Sequence, residues 1–146
     1  MYQRILVPLE NSPYDAGILK HVLALAQLCG SSLVLIHVAD GWAARHVNTL
    51  VLRESEEMQR DRAYLDGICE KLHSEGIITE TILAGGDPAT EITTAAAREK
   101  CDLIAMATHG HRGLQDVIYG TTANAVRHRT MVPVLMVRGV PPSAAR

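Results

Sequence analysis

The sequence predicts an α/β fold: a single doubly wound, five-stranded parallel sheet in the strand order 3-2-1-4-5, with helices on both faces. Short apolar runs alternate with segments of helical period along the whole chain, and strands joined by helices require right-handed crossovers and a parallel sheet. Most of those runs are continuous rather than alternating, the pattern of strands covered on both faces. The core must also be aliphatic. Of the 146 residues, 47% are hydrophobic but only 3% aromatic, and there is no Phe.

Ile5-Leu6-Val7-Pro8-Leu9 reads as the first strand. Ser12-Pro13-Tyr14-Asp15 follows as a helix start. Ser12 suits the cap and Pro13 the first helical position, and Asp15 favours the positive end of the helix dipole. Ile18, Leu19, Val22, Leu23, Leu25, Ala26 and Cys29 recur at helical spacing, and Gly30 supplies the left-handed residue that ends the helix. Residues 32–38 form the second strand. Residues 40–51 show no period and are expected to be irregular. Residues 54–75 read as a long helix with a solvated charged face and an inner stripe of Met58, Leu65, Ile68, Cys69 and Leu72, stopped by Gly76. Residues 78–83 alternate apolar and polar, as a strand nearer the sheet edge would. Asp87-Pro88 repeats the cap-then-proline start for a helix to about Lys100, and residues 102–107 are the fourth strand. A glycine-bearing loop and a helix through about His128 follow, with Gly120-Thr121-Thr122 expected to open it. Residues 133–137 are the fifth strand. Residues 1–138 therefore make one domain, and 139–146, with Pro141-Pro142, are expected to be a disordered tail.

Composition excludes several classes. The formal net charge is -2 and the basic residues are scattered, which argues against a nucleic-acid grip. No apolar run approaches the roughly 18 residues of a membrane span. Met1 leads within four residues into a strand, so no signal peptide is expected and the protein is read as cytoplasmic. Cys29, Cys69 and Cys101 are far apart and read as buried thiols in a reducing compartment.

In the order 3-2-1-4-5 the ligand crevice opens between strands one and four, beyond their carboxyl ends. The tips there are Pro8-Leu9-Glu10 and Ala107-Thr108-His109-Gly110. The small residues permit close backbone approach, and free N–H groups at a helix start, with the Thr121 and Thr122 hydroxyls, would make an anion cup. Competing readings fail. G-x-G-x-x-G is missing after strand one, and no G-x-x-x-x-G-K-[ST] occurs. Only Glu10 supplies the strand-tip acids that a phospho-acceptor domain wants. His109-Gly110-His111 lacks the further converging ligands of a metal site, and no catalytic triad is evident.

The stretch Met106-Ala107-Thr108-His109-Gly110, then nine residues, then Gly120-Thr121, resembles the nucleotide-binding motif of the universal stress protein family: glycine, two residues, glycine, nine residues, glycine, Ser or Thr. Further marks of that family are Ile5-Leu6-Val7-Pro8, Leu35-Ile36-His37-Val38, Gly86-Asp87-Pro88 and Pro133-Val134-Leu135-Met136-Val137. The resemblance covers residues 2–138. It implies a stress-response regulatory protein that binds ATP or AMP, with any Mg2+ carried by the phosphates. Pro8, Leu9 and Glu10 would lie along the adenosine and Val38 would meet the adenine. Ala107, His109, Gly110, Gly120, Thr121 and Thr122 would hold ribose and phosphates, and Arg112 or His111 would add charge beside them. Ala107 stands where the motif has its first glycine, and Glu10 stands in place of the usual Asp. The longer Glu arm loses up to roughly 2 kcal/mol of rotamer entropy when fixed, so weaker binding is expected. Two alternatives stay open: a slow ATPase or phosphotransfer protein using the same pocket, and a nucleotide-free dimeric scaffold. The resemblance also implies a homodimer. An apolar fifth strand at the sheet edge, Val134, Leu135, Met136 and Val137, fits it.

Overall fold

The computed structural model describes residues 1–40, 47–108 and 114–139. Among them strand and helix alternate throughout: β1 (Arg4–Pro8), α1 (Asp15–Cys29), β2 (Ser32–Asp40), α2 (Val47–Ser74), β3 (Thr79–Gly86), α3 (Pro88–Arg98), β4 (Leu103–Thr108), α4 (Leu114–Arg129) and β5 (Val134–Arg138). The strands form one sheet in the order β3-β2-β1-β4-β5, all neighbours parallel.

Period-two alternation divides the core into two layers. Ile5 and Val7 of β1, Leu33 and Leu35 of β2 and Ala105 of β4 face α1 and α2, where they meet Ile18, Val22, Ala26, Leu65 and Leu72. Leu6, Val34, Ile36, Ile104 and Met106 face the other way, onto Ile92, Ala95 and Ala96 of α3 and Ala123 and Val126 of α4. The three central strands are thus covered on both sides, which is why they read as continuous apolar runs.

Several boundaries differ from the sequence expectation. Helix α1 starts at Asp15, and Ser12 is a turn residue whose carbonyl accepts from the Asp15 N–H at 3.0 Å. Gly30 does end it, left-handed at φ 68°. Helix α2 begins at Val47, inside the segment expected to be irregular. Once a helix is nucleated, adding residues costs little, so a weakly patterned flank joins a strongly patterned neighbour. Met58 leaves the expected inner stripe and is 43% exposed. A 28-residue helix is about 42 Å long, whereas the nine-residue β2 spans about 30 Å, so α2 outruns the sheet it covers. Of the cysteines only Cys101 is buried; Cys29 and Cys69 are half-buried. Gly139, placed above in the tail, remains attached to the sheet: it is buried and its N–H donates to the Thr108 carbonyl. The remainder of the expected tail, 140–146, lies outside the described residues.

Candidate functional site: the crevice between the first and fourth strands

β1 is the strand from which the chain winds outward in both directions, and its two neighbours treat it differently. With β2 it pairs along its whole length, from Arg4–Ser32 to Pro8–Ile36, and the Leu9 N–H adds a bond to the Ile36 carbonyl at 2.8 Å. With β4 it pairs only at Ile5–Leu103 and Leu6–Ile104. Both strands continue, β1 to Pro8 and β4 to Thr108. Their ladder therefore ends before they do, and the carboxyl ends part at the point where strand order reverses. This is where an open α/β sheet receives a ligand.

The Leu6–Ile104 register carries Leu9 and Ala107 to the same height, three residues further on. Leu9 is 4% exposed and Ala107 9%. Pro8 ends β1, half-buried. Val38 lies two residues beyond Pro8's partner Ile36, paired with Ala84 of β3. Leu9 and Ala107 thus reach the same height, both packed into the core on the α1–α2 face, with Pro8 and Glu10 flanking Leu9 in the chain and Val38 one strand away. His109, Gly110 and Arg112 lie outside the described residues.

Gly120, Thr121 and Thr122 require a correction. They do not open the last helix, because α4 starts at Leu114. Nothing between Leu114 and Tyr119 breaks a helix, and an interior glycine costs only about 1 kcal/mol relative to alanine. Backbone N–H groups past the first turn are used within the helix, so this stretch does not supply the free amides of an anion cup. Thr121 is exposed and Thr122 is buried.

The β1–α1 loop is built around a carboxylate that the sequence reading took only as a dipole complement. Asp15 is 1% exposed. Its Oδ1 accepts from the Glu10 N–H at 3.0 Å, and its Oδ2 from the N–H groups of Asn11 (2.9 Å) and Ser12 (3.3 Å). Tyr64 of α2 donates its hydroxyl to the same Oδ2. Burial, then the hydrogen bond to Asp15, then the negative charges of Asp15 and Glu10 push the Tyr64 phenol well above its ordinary value. This cage turns the chain sharply enough to place Asn11 at φ 62°, a left-handed conformation that Asn tolerates better than most residues. The Glu10 carboxylate is drawn to the loop itself, its Oε2 accepting from Ser12 Oγ at 2.7 Å.

A second tie runs beside the first. His37 Nδ1 donates to the Leu9 carbonyl at 2.8 Å, and its Nε2 lies 3.2 Å from Asp61 Oδ2 on α2. Asp61 Oδ1 also accepts from Asn11 Nδ2 at 3.0 Å. Asp61 and Tyr64, three apart on one helix face, thus grip the loop that carries Glu10. Sequence reasoning missed this group. The only local signal was two polar turn residues followed by Asp at the helix head; the partners on α2 are about fifty positions away.

Among the described residues no three His, Cys, Asp or Glu side chains converge as a metal site, and no helix is long and apolar enough to cross a membrane. A shallow groove of about 520 Å³, lined in part by Gln3, Gln27, Ser31 and Ile78, lies at the amino end of the sheet, opposite the crevice.

Comparison with known proteins bears on the family and the fold. The family model described as "Universal stress protein family" matches residues 1–138. Universal stress protein MJ0577 of Methanocaldococcus jannaschii is 28% identical, over 94% of this chain and 96% of that protein. Its solved structure superposes with a TM-score of 0.80, covering 96% of this chain and 98% of the other. A universal stress protein from Archaeoglobus fulgidus, solved in complex with dAMP, shares the fold at a TM-score of 0.65 and 19% identity, over 92% of this chain and 97% of that one.

Proposed function

This chain belongs to the universal stress protein family, and from that premise we propose that it is a cytoplasmic regulatory protein that binds an adenine nucleotide, ATP or AMP, where β1 and β4 part. The observation that supports the reading is the early end of the β1–β4 ladder at Leu6–Ile104, short of Pro8 and Thr108, which sets Leu9 and Ala107 at one height at the carboxyl ends of the two strands. Val38 lies toward the adenine side. The loop that follows Thr108, with His109, Gly110 and Arg112, is the part of the motif assigned to the phosphates, and Mg2+ arrives with them. Thr121, exposed on α4, contributes through its side chain rather than its amide, which lies inside the helix. Ala107 is small enough for a nucleotide to lie close to the β4 backbone. The Archaeoglobus protein of the same fold was solved with dAMP, an adenine nucleotide.

The reading is one of occupancy rather than turnover, since hydrolysis needs both a general base and a positioned water at the phosphates. Calorimetric titration with ATP and with AMP tests this. Saturable one-to-one binding is expected, lost in Gly110→Val, whose branched side chain would occupy the phosphate approach while the melting temperature holds. No heat and no thermal shift at millimolar nucleotide would reject the reading in favour of a nucleotide-free scaffold, and hydrolysis well above background would reject it in favour of an ATPase. The same protein is proposed to pair with a second copy through β5, an edge strand whose Met136 is 39% exposed. Light scattering that reports a monomer at micromolar concentration would remove that assembly.

A further inference from the structure

The β1–α1 loop forms one wall of the crevice, yet its shape is set from outside it. Three successive N–H groups, those of Glu10, Asn11 and Ser12, all end on the carboxylate of Asp15, which is almost wholly removed from solvent. The same carboxylate accepts the Tyr64 hydroxyl, and Asp61 reaches the loop a second time through Asn11 and, by way of His37, through the Leu9 carbonyl. A buried carboxylate that keeps four donors cannot relax locally, because each donor it released would be left without a partner away from water. We propose that Asp15 and Tyr64 are positioning residues for the nucleotide site: α2, through the Tyr64–Asp15 contact and the parallel Asp61 tie, holds the β1–α1 loop, and with it Glu10, in one conformation at the carboxyl end of β1. Neither Asp15 nor Tyr64 touches nucleotide in this account. They act through the loop amides, which makes α2 the element that loosens or tightens the site. The inference rests on the nucleotide reading above for its ligand, but its structural half is independent of it.

The test uses the full chain, ¹⁵N-labelled, as wild type, Asp15→Asn and Tyr64→Phe. Asp15→Asn keeps the size of the side chain but turns one accepting oxygen into an NH₂ that faces N–H donors. Tyr64→Phe removes one hydroxyl and leaves the three amide bonds. Without nucleotide, amide exchange at Glu10, Asn11 and Ser12 is expected to accelerate at least tenfold in Asp15→Asn and about threefold in Tyr64→Phe. Exchange at the core amides of Leu6 and Leu35 should change far less, and the loop amide proton resonances should move while those of α3 and α4 stay. AMP affinity, by calorimetry, is expected to fall about tenfold in Asp15→Asn and about threefold in Tyr64→Phe. Loop exchange that follows the core amides in both variants overturns the proposal whatever the ligand. A loop that loosens while AMP affinity is unchanged overturns it as well, since Asp15 would then be structural only. Should Asp15→Asn fail to fold, Tyr64→Phe decides by the same two readings. Wild type that takes up neither AMP nor ATP refutes the nucleotide reading, and with it the assigned ligand, while the exchange arm still reports whether α2 holds the loop.

Discussion

Tyr64 on α2 donates its hydroxyl to Oδ2 of Asp15, forty-nine residues earlier at the head of α1, inside a carboxylate cage that also takes three loop amides. The contact is asymmetric in its demands. The carboxylate keeps three amide donors without the phenol, whereas an ionised phenol would lose its only donor hydrogen and face two carboxylates, Asp15 and Glu10. That is why burial and the Asp15 bond push the phenol up.

Tyr64 should therefore remain protonated in the folded protein at a pH where a free phenol, near pH 10, ionises. The sign follows from linkage: a folded-state value above the unfolded one gives stability that is complete below about pH 10 and is lost as pH rises further. The stability gap between wild type and Tyr64→Phe should thus be widest at pH 8 and narrow above pH 10. Ultraviolet titration with denaturant melts at pH 8 and 10.5 checks both statements. All four tyrosines ionising together in the folded state would contradict the cage.

Asp87 caps α3, accepting from the Thr90 N–H at 3.0 Å and the Thr90 hydroxyl at 2.7 Å. Those bonds, the hydroxyl's first, hold its carboxyl below the ordinary range, with Arg129 adding a smaller pull. Asp87→Ala should cost about 1 kcal/mol at pH 7, the usual worth of such a cap. The Arg129 contact is exposed and adds little. A depressed value stabilises above the unfolded value of about 3.9 and ceases to as pH falls through the folded one, so the cost should shrink as pH falls below about 4. Urea melts of both proteins at pH 7 and pH 3 decide; an equal difference at the two would mean the carboxylate is not what caps the helix.

Much of this was legible because the signals were local. Ile5-Leu6-Val7 needs only its own run of apolar residues to declare a doubly covered strand, Asp87-Pro88 declares a helix start within four residues, and Gly30 and Gly76 mark helix ends by their left-handed backbone, φ 68° and 83°. What was not legible depended on distant partners or on weak local preference. Asp15 looked like any acid in a first turn until Tyr64 arrived from α2. The starts of α2 and α4 were placed too late, since Val47 and Leu114 carry no cap residue strong enough to mark them. Of the candidate site, the gathering of Leu9 and Ala107 follows from sheet order and register. The register itself, and the early end of the β1–β4 ladder, depend on sheet twist and side-chain packing that no short window encodes.

The two-layer core predicts a sharp contrast between Leu6 and Met58. Leu6 is fully buried in the central strand, between α3 and α4, whereas Met58 is 43% exposed beyond the sheet. Leu6→Ala should cost 2–5 kcal/mol, the transfer term plus a cavity that a close-packed layer cannot close. Met58→Ala should stay within about 0.5 kcal/mol. Chemical denaturation measures both, and similar losses at the two positions would mean that α2 covers more of the sheet than described.

The end of β3 offers a matched pair. Gly85 and Gly86 are adjacent, but a Cβ on Gly85 would meet nothing within 4 Å, whereas Gly86 sits at φ 131° with Glu91 Oε1 3.0 Å from where its Cβ would be. The Glu91 side chain can swing aside, so the steric part is small. The backbone part is not, because L-residues rarely adopt that φ and holding one there costs of order 1–3 kcal/mol. Gly86 lies immediately before the Asp87 cap, and its conformation turns the chain from strand into helix. Gly86→Ala should therefore destabilise by about 1–3 kcal/mol, while Gly85→Ala should be neutral or slightly stabilising through the unfolded state. Equal effects at the two positions, read from paired urea melts at pH 7, would show that open space around the strand end, and not the backbone angle, sets the requirement for glycine there.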